Sequence, residues 1–344
     1  VFDIDSSAGK ADPFWRVTFQ LLQGVGVAAV LFMGCRMVFD RKAGIVLLHG
    51  GIVLMMVSEL LTAGLAKEGQ MTIAEGESSD FVEDNRSVEL AIADPSDPAL
   101  PKGFERVAAV PESRLKRGKR ISSPDLPFDI DVPEGRFFKN AELTRPKPGV
   151  SNPATAESGL QWVAAKRSEE SGASSTAGVD QSAVYATFLE KESGRPLGTY
   201  LLSVLLTFSD LPQKIQVGPK TYELTLRFAR TYKPYKLYLH DFRFERYVGT
   251  STPKDYSSYV RLIDPERSVD RDVRIWMNNP LRYRGDTLYQ ASFDGATETT
   301  THLQVVTNAG WMVPYVACMI VAAGLLGQFG LHLIGFLRKR RDAS

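Results

Sequence analysis

Cysteine is almost absent. The 344 residues carry two, Cys35 and Cys318, in different apolar runs at different depths, so they are not expected to pair. The long polar stretch between those runs has none, which excludes a disulfide scaffold or a thiol oxidoreductase there and leaves stability to a packed core. Histidine is scarce too, with four residues scattered along the chain, and no G-x-S-x-G, H-E-x-x-H, Walker or C-x-x-C pattern occurs. A self-contained hydrolase or metalloprotease is not expected. Charge of one sign is also missing. Lys plus Arg total 41 against 40 Asp plus Glu, for a net charge of +1, and the pI is near 7.9. That balance gives no case for nucleic-acid binding.

What is present is long apolar sequence, hidden behind a mean hydropathy of -0.13. Val17 to Phe39, Gly44 to Ala66 and Met312 to Leu337 each approach or exceed the ~20 residues that cross ~30 Å of hydrocarbon. Asp12, Pro13 and the interfacial pair Phe14-Trp15 suit the start of the first, and Gln20 and Gln23 within it suit helix packing. Basic residues concentrate in short cytoplasmic loops, and here they fall at Arg36, Arg41 and Lys42 and at Arg338-Lys339-Arg340-Arg341. The chain therefore reads as an extracytoplasmic segment 1–11, a transmembrane helix 12–39, a cytoplasmic loop 40–43, a helix 44–66, an extracytoplasmic domain 67–310, a helix 311–337 and a cytoplasmic tail 338–344. Such a topology places a bacterial chain in the inner membrane with its large domain in the periplasm. Because it begins Val1-Phe2-Asp3, it also reads as a truncated or processed product lacking a first helix.

Residues 67–310 alternate short β runs with turn residues. The runs are Ser87–Ile92, Ala183–Leu189, Thr199–Phe208, Tyr222–Thr231, Lys236–Phe244, Tyr256–Ile263, Asp272–Met277, Thr287–Phe293 and His302–Val306. The fold class is thus an integral membrane protein of three transmembrane α-helices plus a large, mainly antiparallel β domain. About 144–181 is Pro-, Ser- and Gly-rich and reads as a mobile insertion. Asp94 to Gly135 reads as a solvated loop. Its patch of Arg114, Lys116, Arg117, Lys119 and Arg120 has haem propionates or lipid headgroups as the alternative to plain solvation.

His49 stands out because it lies inside an apolar run. A polar ring in hydrocarbon costs a few kcal/mol (roughly 2.5 or more for a charge near the centre) and normally faces protein, water or a cofactor. Neutral imidazole is a common metal ligand, which makes haem iron a candidate. His332 precedes Arg338 by about six residues, so by length alone it reaches a depth similar to His49. It is either a second haem ligand or a side chain snorkelling to the interface. Glu59 either faces a polar cavity or reaches the outer surface. His240 and His302 fall in strands and read as satisfied or solvent-facing, while Met33, Met37, Met55 and Met56 read as packing.

Three groups of residues carry a resemblance. They are Leu48-His49-Gly50-Gly51-Ile52 in the second span, Gly69-Gln70-Met71-Thr72-Ile73-Ala74-Glu75-Gly76-Glu77 just after it, and a late β region. The late region includes Leu239-His240-Asp241-Phe242, Tyr259-Val260-Arg261-Leu262, Asn278-Asn279-Pro280-Leu281-Arg282-Tyr283-Arg284-Gly285-Asp286 and Asn308-Ala309-Gly310-Trp311. Together they resemble the ResB-like (CcsB) family of cytochrome c biogenesis proteins. The resemblance implies a system II membrane subunit that works with a ResC-like (CcsA) subunit. Its cargo would be non-covalent haem b, passed across the membrane for attachment to an apocytochrome c kept reduced by a thioredoxin-like thiol reductant. It implies that His49 is an axial haem ligand, that membrane lipid surrounds the helices, and that the chain is an accessory subunit of a holocytochrome c synthase (haem lyase) complex rather than an enzyme alone. The four tryptophans Trp15, Trp162, Trp276 and Trp311 form no cluster of the kind expected of the partner. Ala309 stands where the resemblance would have proline. A membrane-anchored β scaffold that recruits partners without haem is the alternative.

Overall fold

The computed structural model describes residues 22, 26, 29–39, 42–95, 106–147, 149, 151–169, 179–209, 211–249, 253–295 and 297–343. Its helices are α1 (Ala29–Phe39), α2 (Ala43–Leu65), the short α3 (Glu112–Leu115) and α4 (Val204–Phe208), and α5 (Val313–Asp342). Its strands are β1 (Lys67–Ala74), β2 (Ser78–Asp94), β3 (Arg106–Pro111), β4 (Asp129–Asp131), β5 (Phe137–Phe138), β6 (Ala141–Thr144), β7 (Val163–Lys166) and β8 (Ala183–Leu189). They continue as β9 (Pro196–Ser203), β10 (Gln213–Val217), β11 (Lys220–Arg246), β12 (Pro253–Asp264), β13 (Val269–Trp276), β14 (Leu281–Tyr283), β15 (Asp286–Phe293) and β16 (Thr300–Thr307). The chain divides into two compact units. One comprises residues 1–68, 277–289 and 304–344, the other 69–276 and 290–303.

The first unit holds the long helices. At 1.5 Å per residue, α2 spans roughly 34 Å and α5 roughly 45 Å, enough to cross a bilayer core of about 30 Å. Both are apolar, and little of either is covered by the rest of the chain; Val53, Met56, Leu60, Leu326, Phe329 and Leu333 stand exposed. α5 outruns its predicted end at 337, because Arg338 to Arg341 simply continue the helix to Asp342. Of the predicted span 12–39, Ala29–Phe39 is helical, whereas Asp12, Pro13, Phe14, Trp15, Gln20 and Gln23 lie outside the described residues. Neither Cys35 nor Cys318 is paired.

The second unit is an antiparallel β structure. Its main sheet runs β13-β12-β11-β2-β1-β16-β15, with β3 added to β2 and β10 to β11. A smaller sheet, β4-β8-β5 with β9 on β8, covers one end. Between them lies the largest core, where Val88, Leu90 and Ile92 of β2 and Leu224 and Leu226 of β11 meet Phe128, Ile130, Val184, Phe188 and Leu202. Phe128 and Phe188 pack edge to face at 4.8 Å. At its other end the main sheet curls until β12 faces β15 and β16. There the Ser258 hydroxyl reaches Gln290 Oε1 at 2.6 Å and Thr301 Oγ1 at 2.8 Å, while Gln290 Nε2 donates to Thr301 at 2.9 Å. Phe293 sits beside Phe242, Phe244 and Tyr256.

Several predicted elements change. Tyr222–Thr231 and Lys236–Phe244 are two parts of one strand, β11, whose register with β2 shifts between Tyr232 and Leu237. Pro234 lies in that gap, and proline has no N–H to give a ladder. Thr199–Phe208 is a strand only to Ser203. The Ser203 hydroxyl there accepts from the Leu205 N–H at 3.3 Å, a helix cap that opens α4. The expected loop Asp94 to Gly135 contains β3, α3 and β4 and buries Leu115, Leu126, Phe128, Ile130 and Val132. In the expected mobile insertion, β7 pairs with β6 just before it, and Ala154 and Ala164 pack with Ala141, Tyr185 and Leu201. Tyr185 Oη accepts from Ala164 N at 2.9 Å, and Arg145 lies over Trp162 at 4.2 Å. Residues 170–178 of that stretch are outside the described set.

One carboxylate ties this region together. Glu112 accepts from the Val88 N–H at 2.9 Å, from Lys139 Nζ at 3.1 Å and from Lys116 Nζ at 2.5 Å. Burial alone would raise its pKa, but the hydrogen bonds from Lys116, Val88 and Lys139 outweigh it and hold the group below the ordinary glutamate value. A depressed folded pKa contributes stability that is present above the unfolded value and lost as pH falls through the folded one. Glu112→Gln should therefore destabilise the β unit by about 2 kcal/mol near neutral pH, a typical cost of unpairing partly buried charge-assisted bonds. The deficit should shrink below about pH 4. Urea titrations of wild type and variant across pH check this; a gap that stays constant into acid would show that ionisation of Glu112 is irrelevant.

Candidate haem-ligating face of α2

The site begins with glycine. α2 and α5 run antiparallel and meet where Gly44 faces Gly324 and Gln328 and Gly51 faces Ala317 and Val321. A Cβ at Gly324 would lie 2.8 Å from both the Gly44 carbonyl oxygen and the Leu48 nitrogen, and one at Gly51 would lie 3.0 Å from the Ala317 carbonyl. Only glycine permits backbones this close, as small residues do wherever membrane helices associate by packing alone. The face of α2 turned inward is accordingly Gly44, Leu47, Gly51 and Ser58.

At roughly 100° per residue, His49 points nearly opposite that stripe. It is exposed, among the exposed apolar side chains Ile45, Val46, Ile52, Val53 and Met56. Its Nδ1 lies 2.8 Å from the carbonyl oxygen of Ile45, one turn earlier. A carbonyl only accepts, so Nδ1 carries the hydrogen, and in the neutral ring the lone pair is then on Nε2. A backbone acceptor on one imidazole nitrogen fixes the tautomer and aims the other at a metal. The donor chemistry and apolar setting of His49 would suit coordination of haem iron, with Ile45, Val46, Ile52, Val53 and Met56 as the apolar surroundings.

His332 occupies a different place. The facing pairs put His49 level with about Val321, so His332 lies about eleven residues farther along α5, roughly 16 Å in depth. Two imidazoles on one iron are separated by only about two metal–ligand bonds of ~2 Å each, so the structure does not bring His49 and His332 to a shared haem. His332 Nε2 is also engaged, 2.9 Å from the side-chain nitrogen of Gln328. The similar depth inferred from length fails because the facing pairs put the start of α2 level with about Gln328, so His332 lies past that end of α2. Glu59 lies about ten residues beyond His49 on α2, roughly 15 Å away along the axis, on the flank of the helix and near the level of Trp311. It is exposed, and its distance along the axis does not make it a neighbour of His49.

The histidines of the β unit, His240 and His302, have protein partners. His302 Nδ1 pairs with the Thr72 hydroxyl at 2.9 Å; burial pushes its pKa below the ordinary value, against the opposing effect of Asp294. His240 lies where the β11–β12 register shifts between Leu239 and Asp241, and its Nε2 is 3.3 Å from Asp272. The Gly69–Glu77 motif explains that irregularity, since Glu75 Oε1 accepts the Phe242 N–H at 2.7 Å and Gly76 donates to the Leu239 carbonyl at 2.9 Å. In the basic patch, Lys116 and Arg120 are paired with Glu112 and Asp129. Among the described residues no group of three or more His, Cys, Asp and Glu is placed to hold a metal ion. The glycine contact was missed from sequence; its signal was the seven-residue spacing of Gly44 and Gly51, and of Ala317 and Gly324.

Neighbouring glycines provide the test. A Cβ at Gly50 would meet nothing within 4 Å, whereas one at Gly51 would meet Val321 at 2.6 Å. Gly51→Leu should destabilise the helix pair by about 2 kcal/mol through overpacking, with Gly50→Leu close to neutral in the same detergent titration. Equal effects of the two would remove the contact.

Comparison with known proteins agrees with the late β motifs. Residues 210–310 match the model of the ResB-like family. Protein NrfI of Wolinella succinogenes is 25% identical over 325 residues, which is 94% of this chain and 31% of that protein. The chain thus spans about a third of the length of this relative. The matched residues 210–310 run from β10 through β16, so the similarity to the ResB-like family lies in the late β region.

Proposed function

We propose that this chain is a membrane subunit of a system II cytochrome c biogenesis complex that binds haem b as cargo through His49 and passes it across the bilayer. The observation that carries the reading is the His49 ring itself. Its Nδ1 is tied to Ile45, its Nε2 has no partner among the described residues, and it stands on the α2 face turned away from α5. A neutral ligand nitrogen presented to an apolar exterior has no evident packing role there.

In this reading α2 and α5 cross the inner membrane, the Arg338–Arg341 end of α5 lies in the cytoplasm, and the β unit lies in the periplasm. His49 supplies one axial bond, and the second comes from a ResC-like subunit on the exposed face of α2. Ile45, Val46, Ile52, Val53 and Met56 flank the macrocycle and exclude water. The periplasmic haem is then joined to apocytochrome c thiols held reduced by a thioredoxin-like protein. The chain contributes haem binding to that synthase without catalysing the bond formation itself.

The visible spectrum of the full chain purified with its ResC-like partner tests this. Wild type should show six-coordinate haem, His49→Ala should lose it, added imidazole should restore it, and His332→Ala should leave it unchanged. Equal haem in wild type and His49→Ala, or none in either, would favour a periplasmic β scaffold that recruits partners without haem.

A further inference from the structure

We infer that the junction between β14 and the start of α5 holds the phosphate of a phospholipid headgroup, with Arg282 as its ligand. This rests on reading α5 as a membrane span. Arg282 is the outward residue of β14, because Leu281 and Tyr283 on either side are buried. Its strand is firmly placed. Arg282 pairs with Thr287 in β15, the connecting turn has positive φ at Arg284 (47°) and Gly285 (84°), and Thr307 Oγ1 donates to Asp286 at 2.5 Å. The guanidinium lies 5.3 Å from the centroid of Trp311, whose ring meets Tyr315 edge to face at 6.2 Å.

Of the arginines lying over aromatic rings in the β unit, Arg230, Arg243, Arg246 and Arg274 also pair with a carboxylate, namely Glu83, Asp241, Glu298 and Asp255. Arg136 over Tyr185 and Arg145 over Trp162 do not, among the described residues. What sets Arg282 apart is its place beside the start of an apolar helix. Arg282 makes no ion pair with any described residue. The contact with the Trp311 ring uses none of its N–H groups in an ion pair, and their fork geometry matches two oxygens of a phosphate.

Position selects the anion. Trp311 and Tyr315 flank the first turn of α5, the end opposite Arg338–Arg341. A Trp and a Tyr where an apolar helix begins sit at the headgroup level. The anion abundant at that level is the lipid phosphodiester. The stack holds the cation there in advance, so less side-chain freedom is lost when the phosphate arrives.

The full chain, delipidated in mild detergent and offered phosphatidylglycerol, provides the test, with retained lipid counted by native mass spectrometry. Arg282→Gln should retain about fivefold less lipid, corresponding to the ~1 kcal/mol typical of one basic residue at a membrane surface. Arg282→Lys should be intermediate, keeping charge but losing the fork, and Trp311→Leu should fall towards Arg282→Gln. Equal retention by wild type and Arg282→Gln overturns the site. Inorganic phosphate that binds without lipid, and displaces it in an Arg282-dependent way, overturns the lipid assignment in favour of free phosphate. Flotation of reconstituted vesicles after an alkaline wash separates the two readings. A chain that floats but shows no dependence on Arg282 loses only the headgroup site, whereas one stripped by alkali loses the membrane span and this site together.

Discussion

Gly44, Gly51 and Gly324 let the α2 and α5 backbones touch, and that approach fixes the rotation of α2 about its axis. Rotation matters because a helix buries one stripe and presents the rest. With the glycine stripe turned to α5, His49 is carried to the far side, amid aliphatic side chains that no other described residue covers. A larger residue at Gly51 would have to displace the Ala317 carbonyl region of α5 or turn the helix. Either change would redirect His49. Packing on one face and the direction of the His49 ring on the other are therefore a single constraint, although no atom of the glycine contact touches the imidazole.

The tautomer is a second consequence of local geometry. An imidazole in an apolar helix has two polar nitrogens to satisfy and few partners. The Ile45 carbonyl, one turn back, takes the Nδ1 hydrogen without any other side chain. What remains is a lone pair at Nε2 with no protein partner in the described residues. A bare acceptor in hydrocarbon is costly, and metal coordination or a donor from another chain would remove that cost. His332 shows the contrast, because Gln328 on its own helix already occupies its Nε2.

The apolar runs were legible because bilayer thickness demands length, and length is visible in any sequence. The strands of the late region were legible through β-branched and aromatic alternation, with β8 found at both ends and β12, β15 and β16 nearly so. β1 was missed because Lys67, Glu68, Gln70 and Thr72 alternate with only two large apolar residues, Met71 and Ile73. Asp94 to Gly135 read as solvent because its buried residues Leu115, Leu126, Phe128, Ile130 and Val132 lie among prolines and charges. Their partners on β2, β8 and β11 are distant in sequence. The hairpin β6–β7 was hidden similarly, since an alanine-rich core carries little hydrophobic signal. His49 was legible as an ionisable group in a greasy run. Its direction was not, for that depends on which helix packs where, and the relation to His332 failed for the same reason.

One ligand nitrogen on one helix face also bears on assembly. A six-coordinate iron needs two axial donors, and the described residues of this chain offer His49 without a second imidazole at its depth. On the proposed reading, a chain that cannot complete the coordination alone must share the iron with a neighbour on the exposed side of α2. Two partial ligand sets then behave differently from one complete set. On that reading each chain separately would hold haem weakly, the pair would hold it well, and release would require only that the helices part or that a competing donor replace one histidine. A carrier benefits from that arrangement, because cargo bound by one polypeptide with two strong axial bonds would have no comparably easy step for letting go.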